Sequence, residues 1–250
     1  MRALRILLIT AVILGGLFIG ADRIAVNMAE SETADRIRSS QGLSATPEVS
    51  IKGFPFLTQV AGKQLDEVDV SLAGITATAG GHTVNVTEVT AELRDVKVDS
   101  SYSSAVAGSA NGSARISYED LTKAAPEGAT VGYAGPERAA KGQVEVTGPL
   151  FDLLKGAGVD IPGRAESLLK AAGDVTTYSS VVLKGGTTVQ LKAQDLPSIP
   201  VPGFERKLRE IVDYDLKIEG IPPSLSLDRV EATADGLKFA GTGKDVALVG

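Results

Sequence analysis

Residues able to do catalytic or metal chemistry are scarce in this 250-residue chain. Cysteine is absent and His82 is the single histidine, which excludes disulfides, cysteine nucleophiles, thiolate zinc sites and multi-histidine metal sites. His82 follows two glycines, and no nucleophile or orienting acid lies near it in the sequence, so we expect a turn residue and not a general base. The composition therefore argues against most familiar active sites.

The motifs that hold nucleotides or activate a serine are also missing. The glycine–lysine pair at Gly62 lacks the hydroxyl residue of a phosphate loop, and residues 108–112 (GSANG) carry alanine where a nucleophile elbow needs serine. The acidic residues Asp66, Glu67 and Asp69 lack the alternating ligands and turn glycine of a calcium loop, which favours a solvated strand edge. We expect a protein that is not an enzyme and has no cofactor and no metal.

Charge and composition restrict the possible partners. The chain has 25 Lys and Arg against 31 Asp and Glu, without a long basic run, so nucleic acid is not expected as a partner. Only 4% of the residues are aromatic, whereas 43% are hydrophobic, so surfaces that stack sugars or bases are poorly supplied. Aliphatic side chains suit a groove for acyl chains, which gain about 0.8 kcal/mol per buried CH₂. The same residues would equally make an ordinary core, so composition alone does not decide.

The N-terminus has the layout of an export signal. Arg2 and Arg5 precede an uncharged apolar run over residues 6–21. Sixteen helical residues span about 24 Å, which is short of the roughly 30 Å hydrocarbon core. Residues 1–21 are therefore interpreted as a signal peptide or a signal anchor, and Ile19, at a position that prefers a small residue, makes cleavage after Ala21 weak. We expect export to the outer face of the plasma membrane or a periplasm-like space, anchored or released according to cleavage.

After the leader, the residue pattern predicts mostly strands with a few helices. Residues 22–41 contain neither proline nor glycine and favour a helix that ends at Gly42 and runs on from the leader. Glycine pairs at 80–81 and 185–186 indicate hairpin turns, and the serine- and alanine-rich residues 100–112 indicate a flexible loop. Alternation predicts strands at 48–52, within 68–98, and at 214–218, 225–227, 230–232 and 237–239; helical patterns lie at 118–125, 164–172 and 204–212.

The apolar alternation between residues 84 and 98 changes phase twice. A β-bulge absorbs such a slip and bends a sheet, but short strands joined by turns at 87–88 and 94–95 explain the pattern equally well. No linker and no repeat divides residues 22–250, so we predict a single domain. Strands in neighbouring runs without regular βαβ spacing predict a largely antiparallel α+β fold.

The segment 51–59 (IKGFPFLTQ) is the most distinctive motif. It places two of the six phenylalanines around a proline, which restricts the backbone so that the rings present a rigid apolar edge, either a core plug or a groove lip. Together with the N-terminal apolar helix, this segment resembles the LmeA-like family of actinobacterial phospholipid-binding proteins. The resemblance extends to Gly62, residues 68–70 (VDV), 114–121 (ARISYEDL) and 199–204 (IPVPGF), and so covers most of the chain after the leader.

The resemblance implies a fold of the tubular lipid-binding (TULIP) type, in which a strongly curved antiparallel sheet wraps a long helix and leaves a hydrophobic groove or tunnel. It also implies non-catalytic binding, and possible shuttling, of phospholipids such as phosphatidylinositol in support of cell-envelope lipoglycan (mannan) biosynthesis. The charged pair at Glu205 and Arg206 departs from the family pattern and bears on the choice of head group. The alternative is a structural or scaffolding envelope protein without a lipid ligand.

Three sets of residues are candidates for lipid contact under this hypothesis. The expected partners are a phospholipid ligand and the membrane surface. The groove edge is assigned to Phe54, Pro55, Phe56 and Leu57. The groove wall is assigned to Phe204, Leu208, Ile211 and Val212. The head-group site is assigned to Lys52, Lys63, Arg206, Lys207 and Arg209, which lie beside the apolar sets in the sequence.

Overall fold

The computed structural model describes residues 2–79, 82–102, 104–125, 127–156, 161–195, 209, 213–218, 221 and 223–248. The helices are α1 Arg2–Ser40, α2 Phe56–Gly62, α3 Tyr118–Ala124, α4 Pro136–Ala139, α5 Leu150–Gly156 and α6 Gly163–Ala172. The strands are β1 Glu48–Lys52, β2 Gln64–Ala79, β3 His82–Val98, β4 Ala105–Ile116, β5 Thr130–Tyr133, β6 Gln143–Pro149, β7 Asp174–Lys184, β8 Thr188–Asp195, β9 Tyr214–Lys217, β10 Leu225–Thr233 and β11 Gly236–Leu248.

The strands form two sheets. One has the order β1-β2-β3-β4-β11-β10 and the other the order β5-β6-β7-β8-β9. Antiparallel pairing sets Val49 opposite Val70 at the edge of the first sheet and Val144 opposite Ser179 in the second. The predicted α+β class with a long N-terminal helix and antiparallel sheets is confirmed, and it is consistent with the TULIP-like architecture.

One of the two interpretations of residues 84–98, the turns, and the prediction of a loop at 100–112 are wrong. β3 runs without interruption over His82–Val98, so no turns divide it at 87–88 or 94–95. Asp95 takes a φ of +52° inside the strand, and a Cβ at Gly108 of β4 would lie 3.1 Å from the Asp95 Cβ. The predicted loop at 100–112 is largely strand β4, because its small residues allow β3 to approach closely. The serine and glycine content that indicated a loop reflects this close approach.

Other predicted elements are confirmed. α1 is continuous from the leader and ends before Gly42, which has a φ of +61°. The glycines at 185 and 186, with φ of +63° and +73°, form the turn between β7 and β8, and Gly173 follows α6 as its cap. The strands after residue 213 also lie where alternation predicted them. The glycine pair at 80–81 and all of the 204–212 helix except Arg209 lie outside the described residues.

The residues group into two compact units, and each boundary falls inside a strand. Unit 1 comprises Met1–Ala73, Thr90–Gly112 and Gly243–Gly250, and unit 2 comprises Gly74–Val89 and Ser113–Thr242. Whether 22–250 folds as a single domain stays a prediction. The main core of unit 2 consists of aliphatic side chains with one phenylalanine: Val84, Val86, Ile116, Leu121, Ala124, Ala129, Val131, Val144, Val146, Leu153, Val181, Val189, Leu191, Leu237 and Phe239.

Unit 1 buries one face of α1 against β1 and α2. The buried positions of this helix are Asp22, Val26 and Ala34, which recur at helical spacing on one side. The larger apolar residues Ile24 and Met28 are 64% and 69% exposed. Small side chains thus let α1 pack closely, and this is the part of the fold that positions the candidate site.

Candidate functional site

Residues 53–59 (GFPFLTQ), which we call the corner segment, connect β1 to β2 and contain the N-terminal part of α2. Gly53 has a φ of +92°, and a Cβ there would lie 2.5 Å from Gln59 Nε2. Pro55 precedes the first residue of α2, and the Phe56 side chain is only 6% exposed. The sequence therefore specifies a tight turn that directs one phenylalanine into the interior.

Gln59 binds the two strands that flank the corner segment. Its Nε2 donates to the Lys52 carbonyl oxygen at 3.2 Å, and its Oε1 accepts from the Asp66 amide at 2.8 Å. Within the corner, Thr58 Oγ1 donates to the Pro55 carbonyl oxygen at 2.8 Å. These bonds hold the corner segment in one conformation relative to β1 and β2.

Two carboxylates of α1 fix the helix to this region. Asp22 is fully buried, and its Oδ1 accepts a hydrogen bond from the Leu57 amide at 2.8 Å. Pro55 offers no side-chain cap to α2, so the Asp22 carboxylate satisfies an amide of the first turn instead. Eight residues further along α1, Glu30 Oε1 accepts from the Ile51 amide of β1 at 2.7 Å. Sequence reasoning missed both residues, although their spacing places them on one helical face.

Phe54 differs from the rest of the corner segment because its ring is turned outward. The side chain is 52% exposed, and the Arg23 guanidinium carbon lies 5.3 Å from the ring centroid. Arg23 follows the buried Asp22 directly and comes two residues after the apolar run ends. The two phenylalanines of the motif are thus separated, one inside unit 1 and one at its surface beside the leader.

The apolar part of α1 is long enough and apolar enough to cross a membrane, and no other residue that the structure describes covers its most apolar stretch. This helix is compatible with the predicted signal peptide or signal anchor. It continues past Ala21 without a break and supplies Asp22 and Glu30 to the fold of unit 1.

The structure describes three of the five basic candidates, and each has a polar partner. Lys52 Nζ lies 3.4 Å from Asp69 Oδ2, and Lys63 Nζ donates to Ser100 Oγ at 3.1 Å. These two lysines flank the corner segment in unit 1. Arg209 donates to a β8 carbonyl oxygen in unit 2. The candidates Phe204, Arg206, Lys207, Leu208, Ile211 and Val212 lie outside the described residues.

A cluster around Asp120 in unit 2 combines residue types found in active sites, but its geometry is that of a helix cap. Ser117 Oγ donates to Asp120 Oδ2 at 2.7 Å and accepts from the Asp120 amide at 3.1 Å at the start of α3. Asn85 and Lys123 donate to the other carboxylate oxygen. The hydrogen bond from Ser117 is the main reason that the Asp120 pKa is lowered. The cluster fastens α3 to β3 as a structural element.

Tyr118, in the same segment, is a neutral hydrogen-bond donor. Its hydroxyl donates to the Thr233 carbonyl oxygen at 2.7 Å, and burial, with a smaller effect of Tyr133, raises its pKa to about 12. The motif at 114–121 therefore has a role inside unit 2 that needs no ligand.

Comparison with known protein families identifies a family match. The family model described as LmeA-like phospholipid-binding matches residues 20–242, which begin at the end of the apolar run and include most of the chain. No curated protein and no solved structure matches the chain significantly.

Proposed function

Because the chain belongs to the LmeA-like phospholipid-binding family, we propose that it binds phospholipid without catalysis at the outer face of the plasma membrane. The family match carries this proposal, since it spans the folded part of the chain and starts where the apolar run of α1 ends. Support of lipoglycan (mannan) biosynthesis, through supply of an anionic phospholipid such as phosphatidylinositol, is part of the same proposal.

Acyl chains are the part of the ligand that this composition suits best. Flexible aliphatic walls bind hydrocarbon without directional contacts, and each buried CH₂ contributes about 0.8 kcal/mol. We propose that the groove edge is formed by Phe54, Pro55, Phe56 and Leu57, and we keep the sequence-based assignment of Phe204, Leu208, Ile211 and Val212 to a groove wall.

Lys52 and Lys63 are the head-group candidates that the structure describes beside the corner segment. Lys52 pairs with the exposed Asp69 carboxylate, and exposed ion pairs contribute only about 0–1 kcal/mol, while Lys63 donates to a neutral serine hydroxyl. A lipid phosphate can therefore replace these partners at little cost. Charge-assisted hydrogen bonds to phosphate are stronger than neutral ones.

Native mass spectrometry of the full chain, released from detergent, tests this function. We expect one phospholipid to stay bound, and phosphatidylinositol to displace phosphatidylcholine. The Lys52→Glu/Lys63→Glu double variant should weaken phosphatidylinositol binding more than phosphatidylcholine binding, whereas the control Lys141→Glu/Lys238→Glu changes the net charge equally and should affect neither. A chain that retains no phospholipid refutes the binding and favours a scaffolding protein, and equal losses for both lipids refute the head-group assignment.

A further inference from the structure

Phe54 is the residue of the corner segment whose ring lies at the surface of unit 1, against Arg23. Gly53 permits the turn, Phe56 fills the core, and Gln59 bonds the neighbouring strands. The Phe54 ring instead leaves half of its surface exposed, although a phenylalanine gains from burial. A half-exposed phenylalanine ring beside the end of an apolar helix is suited to an apolar environment outside the described fold.

The position of this ring along α1 indicates which environment that is. Arg23 lies against the ring and is two residues, or about 3 Å along the helix axis, beyond the end of the apolar run at Ala21. The level at which an apolar span ends is the boundary between acyl chains and head groups when the span lies in a bilayer. Phenylalanine and leucine side chains of membrane-surface segments enter this boundary, and arginine side chains extend from it toward the head groups.

The ring is also held rigidly at this level. Asp22, the neighbour of Arg23, is fully buried and accepts from the amide of Leu57, three residues after Phe54. Because this bond joins α1 to the corner segment, the height of the Phe54 ring relative to the apolar run is fixed by the fold.

We propose that Phe54 and Arg23 form a membrane-contact point, with the ring in the head-group–acyl boundary and the guanidinium bound to lipid phosphates. In the described part of the chain, Arg23 forms no salt bridge, so its charge is available to an anionic lipid. The occupant of this contact is the bilayer surface, which the outward-facing ring at the groove edge meets, whereas Phe56 and Leu57 remain the corner residues proposed to contact the bound lipid. This inference rests on the proposed function at the membrane and on residues 1–21 being retained there as a signal anchor.

The absence of tryptophan from the sequence gives a direct test. The full-length Phe54→Trp chain is reconstituted in vesicles of phosphatidylcholine and phosphatidylglycerol whose acyl chains carry bromine either near the head group or near the terminal methyl. We expect a blue-shifted emission and stronger quenching by the shallow bromines. The matched control is Ser40→Trp, also exposed and on α1 but about 25 Å further along the axis, which should not be quenched.

Arg23→Gln in the Phe54→Trp background tests the charge. Loss of one basic residue at an anionic surface should shift the equilibrium between docked and undocked ring by about fivefold in phosphatidylglycerol vesicles and little in pure phosphatidylcholine. If the chain floats with the vesicles but Phe54→Trp is not quenched, the contact point is overturned while phospholipid binding stands. Quenching that is stronger for deep bromines, or equal at both tryptophan positions, also overturns it. A chain that does not float with the vesicles does not bind the membrane, which overturns the proposal at its premise.

Discussion

Replacing Asp22 tests whether α1 is part of the fold or only a leader. The Asp22→Ala chain loses the acceptor of the Leu57 amide, and no side chain caps α2 in its place. A hydrogen bond to a charged group contributes about 1.5–3 kcal/mol net, and Asp22 is fully buried, so water does not readily replace it. We expect the free energy of local opening at the corner segment to fall by this amount.

Hydrogen exchange of the Leu57 amide in detergent micelles measures the loss directly. A change of about 1.5–3 kcal/mol accelerates exchange from the open state roughly 10- to 150-fold. Asp22→Asn keeps an acceptor oxygen and should lose less, because neutral hydrogen bonds contribute about 0.5–1.5 kcal/mol. Asp35→Ala, at an exposed position of the same helix, is the control and should leave the rate unchanged.

An Asp22→Ala chain that exchanges at the rate of Asp35→Ala would refute the reasoning. The buried Asp22 carboxylate would then make no net contribution to the stability of the corner segment.

Two further predictions concern the turn and the α3 cap. Gly53→Ala should destabilise unit 1 by about 1–2 kcal/mol or more in a urea titration, because the left-handed backbone and the contact with the glutamine at 59 exclude a Cβ. The control is Gly62→Ala, where a Cβ meets no neighbouring atom, and it should be neutral or stabilising. Equal effects of the two substitutions would contradict this prediction. The lowered pKa of Asp120 gives stability that is present at neutral pH and lost as the pH falls through that value. Asp120→Asn, and in part Ser117→Ala, should therefore flatten the decline of the urea midpoint between neutral pH and about pH 3, and curves parallel to the wild type would refute the assignment.

The strand regions could be predicted from the sequence because alternation is local. Strand β1 and the strands after residue 213 follow the period-2 pattern directly. β4 could not be predicted, because its small residues are needed for the close approach of β3, and a local residue pattern does not reveal which strand will be the neighbour. The phase changes in β3 were ambiguous because a bulge and a turn both shift the alternation of apolar residues by one position.

The candidate site was predictable as a segment but not in its internal roles. The sequence placed Phe54 and Phe56 together at a groove edge, whereas the start of α2 between them turns one ring inward and leaves the other exposed. Asp22 and Glu30 were missed because acidic residues in a polar helix are normally solvated. Their partners are backbone amides of distant residues, and a backbone amide leaves no signature in a residue pattern.

The continuity of α1 through residues 21 and 22 has a practical consequence for preparing a water-soluble recombinant form. A form that starts at Asp22 would place the buried carboxylate at a fraying helix end, next to a new ammonium group. Retaining one extra helical turn before Asp22, with the apolar side chains exchanged for polar ones, would keep that carboxylate in ordered helix. The useful truncation point is therefore set by the helical geometry and not by the expected processing position.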